Sequence, residues 1–167
     1  MRLLESVAEQ VAASFLHHLV PAFRPAARLI CPSDEAERAV LDAVIQAAAV
    51  HGIPVEVIDL RPAPNERLDA VTARLDGWEN SPLAGASDAA PVLLILLGFD
   101  VFGDEEHDTP TYPFRSKFQF DRKFLWLFVG RDAARMRFLF GSYRRPLYQA
   151  ASDITPVDWQ PPSKHCD

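Results

Sequence analysis

Short apolar runs alternate with amphipathic stretches along this chain. The longest run, residues 91–97, is too short to cross a membrane and is closed by Gly98, which is typical of a strand buried on both faces of a parallel sheet. Residues 124–129 form a second wholly apolar run, which is closed by Gly130. The remaining predicted strands are two shorter runs, residues 28–31 and 54–60.

Between these runs, apolar residues recur at three- and four-residue steps, as on one face of a helix. Ser33, Asn65 and Asp132 are suited to cap the helices that follow three of the strands, and Gly52 is suited to close the first of those helices. For residues 112–121, periodicity leaves both helix and extended chain open. The predicted helices cover residues 1–20, 34–50, 66–75 and 133–140, with one further turn at 144–151.

The alternation of strands and helices predicts an α/β fold with three layers. Helices would cover both faces of a mostly parallel sheet of Rossmann-like or P-loop-like topology. The length suits one domain, which we expect to span residues 1–155, including an amphipathic helix at 1–20. The proline-containing segment 156–167 is predicted to be a loosely held tail.

Ligands of open α/β sheets bind beyond the carboxyl ends of the strands. Asp100, Arg131 and Asp132 follow the two most apolar strands of this chain, and we interpret them as candidate ligand-binding residues. Arg131 would offer a planar guanidinium to a carboxylate or a phosphate. Asp100 and Arg131 are also placed to form a structural ion pair with each other, so both interpretations stay open.

Charge is unevenly distributed along the chain. The net charge is −6, yet residues 114–145 hold nine Lys and Arg against two Asp, so the preceding part is strongly acidic. The negative total disfavours general nucleic-acid binding, and the division of charge favours a protein partner. The candidate partner-binding residues are aromatic or basic and belong to the last third of the chain: Tyr112, Phe114, Arg115, Arg144, Arg145 and Tyr148.

The sequence contains no complete catalytic motif, and we expect neither a cofactor nor a metal site. After the first predicted strand stands Cys31-Pro32-Ser33-Asp34-Glu35, which lacks glycine for a phosphate-cradling loop and carries two carboxylates that would repel a phosphate. Residues 103–109 are acidic but lack the alternating spacing of a calcium loop, so we expect them to be a solvated loop. Cys31 is predicted to be a buried structural thiol.

Two stretches of the chain resemble known families. Residues 93–100 resemble the Walker B strand of AAA and STAND-type ATPases, and residues 124–131 are similar to the sensor strand that follows it. Leu97 stands where that family has its metal-organising Asp, and the Walker A loop is missing. This resemblance therefore implies a relative that does not hydrolyse nucleotide.

Over residues 29–151, the succession of segments resembles the BrxB-type subunits of BREX phage-defence systems. The segments that carry the resemblance are Tyr112-Pro113-Phe114-Arg115-Ser116, the strand ending Phe128-Val129-Gly130, Leu139-Phe140-Gly141 and the close Tyr143-Arg144-Arg145-Pro146-Leu147-Tyr148. The resemblance implies an interaction subunit without established catalysis.

We therefore predict a non-catalytic protein-binding subunit of a bacterial multi-protein system, with phage defence as the setting that the second resemblance implies. The alternative hypothesis is a nucleotide- or phosphate-binding protein, or an enzyme, that uses the crevice at the carboxyl ends of the central strands. Glu5 and Glu9 interrupt any secretory leader and no run is long enough to span a membrane, so we expect a cytoplasmic protein.

Overall fold

The structure, a computed structural model, describes residues 2–19, 26–75, 91–121 and 123–159. The helices are α1 (Arg2–Leu19), α2 (Asp34–Val50), α3 (Pro64–Ala73), α4 (Thr111–Phe118) and α5 (Ala133–Gly141). The strands are β1 (Ala26–Ile30), β2 (Val55–Asp59), β3 (Val92–Leu97), β4 (Phe124–Gly130) and β5 (Ser152–Asp153). Short 3₁₀ turns follow β3 and β5, at Phe99–Phe102 and Val157–Trp159.

The strands form one sheet in the order β2-β3-β4-β1-β5, and every pairing in it is parallel. Four of the strands lie where the apolar runs predict them. The fifth, β5, was not predicted, because its two exposed residues, Ser152 and Asp153, carry no apolar signal. It is recognised only through its pairing with Ala27 and Arg28 of β1.

Side chains alternate between the two faces of the sheet, because successive residues of a strand point in opposite directions. On the face that we call the aromatic face, β4 presents Phe124, Trp126 and Phe128, and α3, α4 and α5 cover these rings. On the opposite face, the aliphatic face, β4 presents leucine and valine side chains that α1 and α2 cover. The predicted three-layer arrangement is confirmed.

The predicted helix ends are mostly confirmed. The Ser33 hydroxyl accepts a hydrogen bond from the Ala36 amide at 3.1 Å, and the end of α2 is followed by Gly52 with a φ of 66°. Asn65, however, does not cap α3. That helix begins at Pro64, whose fixed φ suits the first turn, after an Ala63 that makes no capping bond. Residues 112–121 mostly belong to α4.

The segment after α5 differs from its prediction. In place of a further helical turn, residues 143–149 form non-helical turns that bury Leu147. The Ile30 amide then donates to the Thr155 hydroxyl at 3.0 Å, and Trp159 packs against the aliphatic core. The chain is therefore held against the sheet as far as Trp159, four residues beyond the predicted domain end. Residues 160–167 of the predicted tail lie outside the described residues.

Candidate functional site

Charged side chains from three strand ends meet at the carboxyl edge of the sheet. Arg131 follows β4, Asp59 ends β2, and Arg61 stands two residues beyond Asp59. The first turn of α2, which follows β1, brings Asp34 and Glu37 to the same place. We call these five residues the Glu37 cluster.

Glu37 is the centre of this cluster. Only 6% of its side chain is exposed, and its Oε1 accepts a hydrogen bond from Arg61 Nη2 at 3.0 Å. Its Oε2 accepts from Arg131 Nε at 3.3 Å. A buried carboxylate thus has a guanidinium on each side, and this pairing offsets the cost of burying its charge.

Two further carboxylates hold the guanidiniums from outside. Asp59 accepts from Arg61 Nε at 2.8 Å and from Arg61 Nη2 at 2.9 Å, while Asp34 pairs with Arg131. The hydrogen bonds from Arg61 lower the pKa of Asp59, and those to Asp59 and Glu37 raise the pKa of Arg61 despite its partial burial. Arg67 brings a third guanidinium, which donates to the Asp59 carbonyl, so three carboxylates face three guanidiniums and no surplus positive charge is left for an anion.

Cys31 lies beneath the cluster. Its backbone amide donates to the Gly130 carbonyl at 2.9 Å, and its side chain is fully buried. Burial, together with the negative charge of Glu37, raises the pKa of the Cys31 thiol to about 12. The predicted structural thiol is consistent with this placement, since a thiol that stays protonated is a poor nucleophile.

Two glycines allow the ends of β3 and β4 to pack closely against neighbouring side chains. A Cβ on Gly98 would stand 2.3 Å from Arg61 Cγ, and its φ of 71° is left-handed. A Cβ on Gly130 would stand 2.6 Å from Met136 Sδ and 3.0 Å from Asp100 Cβ. The closing glycines of the two most apolar strands are therefore required by packing.

The three predicted ligand-binding residues do come together, but their side chains face different partners. Asp100 accepts a hydrogen bond from the Asp132 amide at 3.0 Å, and Asp132 caps α5 by accepting from the Ala134 and Arg135 amides. The predicted pairing of Asp100 with Arg131 is wrong, because Arg131 turns toward the carboxylates of α2. Asp100 instead fixes the start of α5.

The predicted partner-binding residues divide between surface and interior. Tyr112 and Tyr148 are exposed, and Arg144 is exposed with its guanidinium beside the Tyr143 ring. Phe114, by contrast, is fully buried and packs on Phe99, Phe118, Trp126 and Phe128, so it offers nothing to a partner. Arg115 is half-buried.

Arg145 also belongs to the interior of the fold. Its side chain is 12% exposed, pairs with the buried Asp108, donates to Glu105 at 2.9 Å and lies over the Phe138 ring. The acidic loop at residues 103–109 is therefore only partly solvated as predicted. Asp108 is its buried anchor, and Arg145 ties the loop to the end of the domain.

Most of the Glu37 cluster was not predicted from the sequence. Asp59 lies near the end of a predicted strand and Arg61 directly follows it, and the rule that parallel strands end at one edge would have placed them beside Arg131. Glu37 gave no such signal, because an acidic residue in the first turn of a helix is ordinary. Its burial depends on contacts with residues 24 and 94 positions away in sequence.

Neither a metal centre nor a membrane span is found in the part of the chain that the structure describes. Among the described residues, no group of three or more His, Cys, Asp or Glu is arranged to hold a metal ion. Within the same ranges, no helix is long and apolar enough to cross a membrane.

Comparison with known proteins identifies a fold. No family model and no curated protein matches the sequence. The ORC2 protein of Aeropyrum pernix, solved in ADPNP–ADP complexes, matches 93% of this chain with a TM-score of 0.57 and 15% identity. The ORC1 protein of Aeropyrum pernix, solved in complex with DNA, matches 92% with a TM-score of 0.54 and 12% identity.

A Walker-type ATPase of Pyrococcus abyssi matches 89% of the chain with a TM-score of 0.53 and 11% identity. The chain spans about half the length of these three proteins, namely 48%, 44% and 51%. At such low identity the similarity shows the fold alone. It confirms the predicted α/β class and is consistent with the remote AAA-like core that residues 93–100 suggest.

Proposed function

We propose that this chain is a non-catalytic protein-binding subunit that uses a nucleotide-binding type of fold as a scaffold. The proposal depends on Glu37. In folds of this type a phosphate binds at the amino terminus of the helix after the first strand, where backbone amides and positive side chains meet it. Here the carboxylate of Glu37 takes the guanidiniums of both Arg61 and Arg131.

A phosphate that entered this position would have to displace Glu37 from both guanidiniums. This displacement would leave the buried Glu37 carboxylate without its partners and so would weaken anion binding, although water at Arg61 and Arg131, which are 39% and 36% exposed, makes the cost smaller than for a fully buried pair. Asp34 and Glu35 would add repulsion at the helix start. The chain thus neutralises its own anion position, and this supports a role other than nucleotide turnover.

The proposal also names the kind of assembly in which the subunit would act. The resemblance of residues 29–151 to BrxB-type subunits supports a place in a bacterial phage-defence assembly, where such a scaffold would hold another subunit. The alternative hypothesis, a nucleotide or phosphate ligand in the crevice, is supported by the fold of the ORC and Walker-type neighbours and by the position of Arg131.

Thermal unfolding with and without nucleotides separates the two hypotheses. We expect ATP, ADP and GTP, each with and without magnesium, to leave the melting temperature of the wild type unchanged. A ligand at a hundred times its dissociation constant would add about 2.7 kcal/mol, or roughly 5–11 °C for a chain of this length. A saturable rise that Arg131→Gln abolishes would contradict the proposal and establish the alternative.

The binding role itself is tested by purifying the tagged protein from its native cells at moderate salt. We expect a second protein at a fixed stoichiometric ratio, with the complex mass measured by light scattering. Recovery of the chain alone at native expression levels, with a bound nucleotide visible at 260 nm, would contradict it.

A further inference from the structure

A groove of about 830 Å³ lies between α1 and α2 on the outer side of the aliphatic layer, and all the residues that line it belong to these two helices. The lining residues on α2 run from Glu35 to Val50, which is about 22 Å at the helical rise. The lining residues on α1 run only from Leu4 to Ala13, about 14 Å, so both walls accompany about two and a half turns of another helix.

The groove exists because both helices present alanine where they face it. Ala8 and Ala12 of α1 line its bottom and belong to the aliphatic core, with 1% and 3% of their surface exposed, whereas the α2 alanines that line it, Ala39, Ala43 and Ala47, pack against the same core and stay half-buried. Larger side chains of the same helices join the core as well: Val11, Phe15, Val40 and Val44. A floor of methyl groups gives a partner side chain an apolar surface without obstruction.

The rim of the groove is acidic. Glu5, Glu9, Glu35 and Asp42 line it, against Arg38 as the single basic lining residue. All five side chains are exposed, and within the described ranges no ion pair joins Arg38 to any of the four carboxylates. The rim is therefore an unneutralised negative border around an apolar floor, which complements an apolar stripe flanked by positive charge.

We propose that this groove binds a basic amphipathic helix of a partner protein. Apolar side chains of that helix would rest on the alanine floor and beside Val50, which is 84% exposed, while its Lys and Arg residues meet the rim carboxylates. The inference rests on the proposed function, because it names the surface and the chemistry through which the subunit binds.

A second copy of this chain does not supply such a helix from its described residues. The basic helix α5 buries its apolar side chains, Met136, Leu139 and Phe140, in the aromatic core. Helix α4, which carries Arg115 and Lys117, buries Phe114 and Phe118 in the same core. Neither helix has an apolar stripe left to offer, so no basic helix among the described residues fits the groove, and the proposal takes a different protein as the occupant.

Photo-crosslinking in native cells tests the proposal. p-Benzoylphenylalanine is introduced at Gln46, which lines the groove, or at Asp69, which is exposed on α3 on the opposite side of the sheet. The cross-linked segment is then identified by mass spectrometry. We expect Gln46 to capture a segment of another protein with more Lys and Arg than Asp and Glu, and with apolar residues at three- and four-residue steps.

Matched charge reversals complete the experiment. Glu9→Lys/Asp42→Lys changes the rim, whereas Glu66→Lys/Asp69→Lys makes the same change of net charge on α3. We expect the rim variant to lower the cross-linking yield at Gln46 at least about fivefold, and the α3 variant to leave it unchanged.

The groove proposal would be overturned if the segment captured at Gln46 were acidic or came from this same chain. It would also be overturned if both variants lost cross-linking yield equally, or if Gln46 captured nothing. Capture of a partner from Asp69 alone would leave the protein-binding function standing and place its surface elsewhere. Failure of the proposed function itself would appear separately, as nucleotide-dependent melting.

Discussion

The aromatic face of the sheet is packed mainly by rings, whereas the aliphatic face is packed mainly by branched side chains and alanines, with Phe15 and Trp159 as its aromatic residues. Phe128 stands 4.7 Å from Phe99, 5.4 Å from Phe140 and 5.7 Å from Phe118, centroid to centroid. Rings of this size fill the space beneath α4 and α5. The small residues of α1 and α2 leave a groove above the other face.

The two faces also differ in which side carries an open groove. Aromatic and basic residues in the last third of the chain predicted a docking surface there. Phe114, however, is buried in the aromatic core, and Arg145 is paired with Asp108 of the acidic loop. The groove lies instead between α1 and α2. The groove proposal therefore places interaction on the side of the sheet opposite to the aromatic core.

The greatest change in stability is expected from removing one ring of the aromatic face. Phe128→Ala is expected to lower the free energy of unfolding by about 4 kcal/mol, because a fully buried ring leaves a cavity among five others. Val129→Ala changes the next residue, which faces the aliphatic side, and is expected to cost about 2 kcal/mol. Urea denaturation measures both; equal costs would remove the distinction between the faces.

The second largest change in stability is expected to differ between the adjacent residues Arg144 and Arg145. Arg145→Gln leaves Asp108 buried without its guanidinium and is expected to cost about 3 kcal/mol. Arg144→Gln changes an exposed side chain, so its cost is expected to stay within about 0.5 kcal/mol. Both are measured by denaturant unfolding at moderate salt. A large decrease in the free energy of unfolding for Arg144→Gln would show that Arg144, too, is packed into the fold on the aromatic side of the sheet.

The third effect is a pH dependence that belongs to the aliphatic face. The Cys31 pKa is raised from 9.0 to about 12, so above pH 9 the unfolded chain releases this proton while the folded chain retains it. The contribution of the Cys31 thiol to the free energy of unfolding is fully present below pH 9. It is lost as pH rises toward 12, by about 1.4 kcal/mol per pH unit.

Unfolding free energies at pH 8, 9 and 10.5, compared between wild type and Cys31→Ala, measure this contribution. The excess in free energy of unfolding of the wild type over Cys31→Ala should become smaller, or change sign, above pH 9. A constant difference across that range would mean that solvent reaches the thiol, and that the aliphatic layer is less tightly closed around β1 than the burial of Cys31 indicates.

The smallest change in stability is expected when a groove position of α2 is enlarged, in contrast to a buried position of the same helix. Ala43→Leu fills the groove between α1 and α2 and is expected to change stability by less than about 0.5 kcal/mol. Ala48→Leu adds the same atoms to a fully buried position of α2 and is expected to cost about 1–3 kcal/mol by overpacking. Thermal and urea unfolding report both. A cost for Ala43→Leu equal to that of Ala48→Leu would mean that the groove is closed.

Much of the fold could be predicted from the chain. The two apolar runs at residues 91–97 and 124–129 are long enough to identify buried parallel strands, and Ser33 and Asp132 cap the helices they were expected to cap. The candidate site was predicted in part. Arg131 lies at the correct edge of the sheet, but its partners, Asp34 and Glu37, come from a helix whose acids looked like ordinary capping residues.

Four of the strands, the helices other than α4, the parallel arrangement and the lack of a phosphate-cradling loop follow from the amino-acid sequence, because they depend on periodicity and on residues close together in the chain. The burial of Glu37 between Arg61 and Arg131, and the groove that the alanines of α1 and α2 border, arise only once the chain is folded. Burial and pairing depend on which helix lies across which strand, and no local pattern encodes a contact 94 residues away.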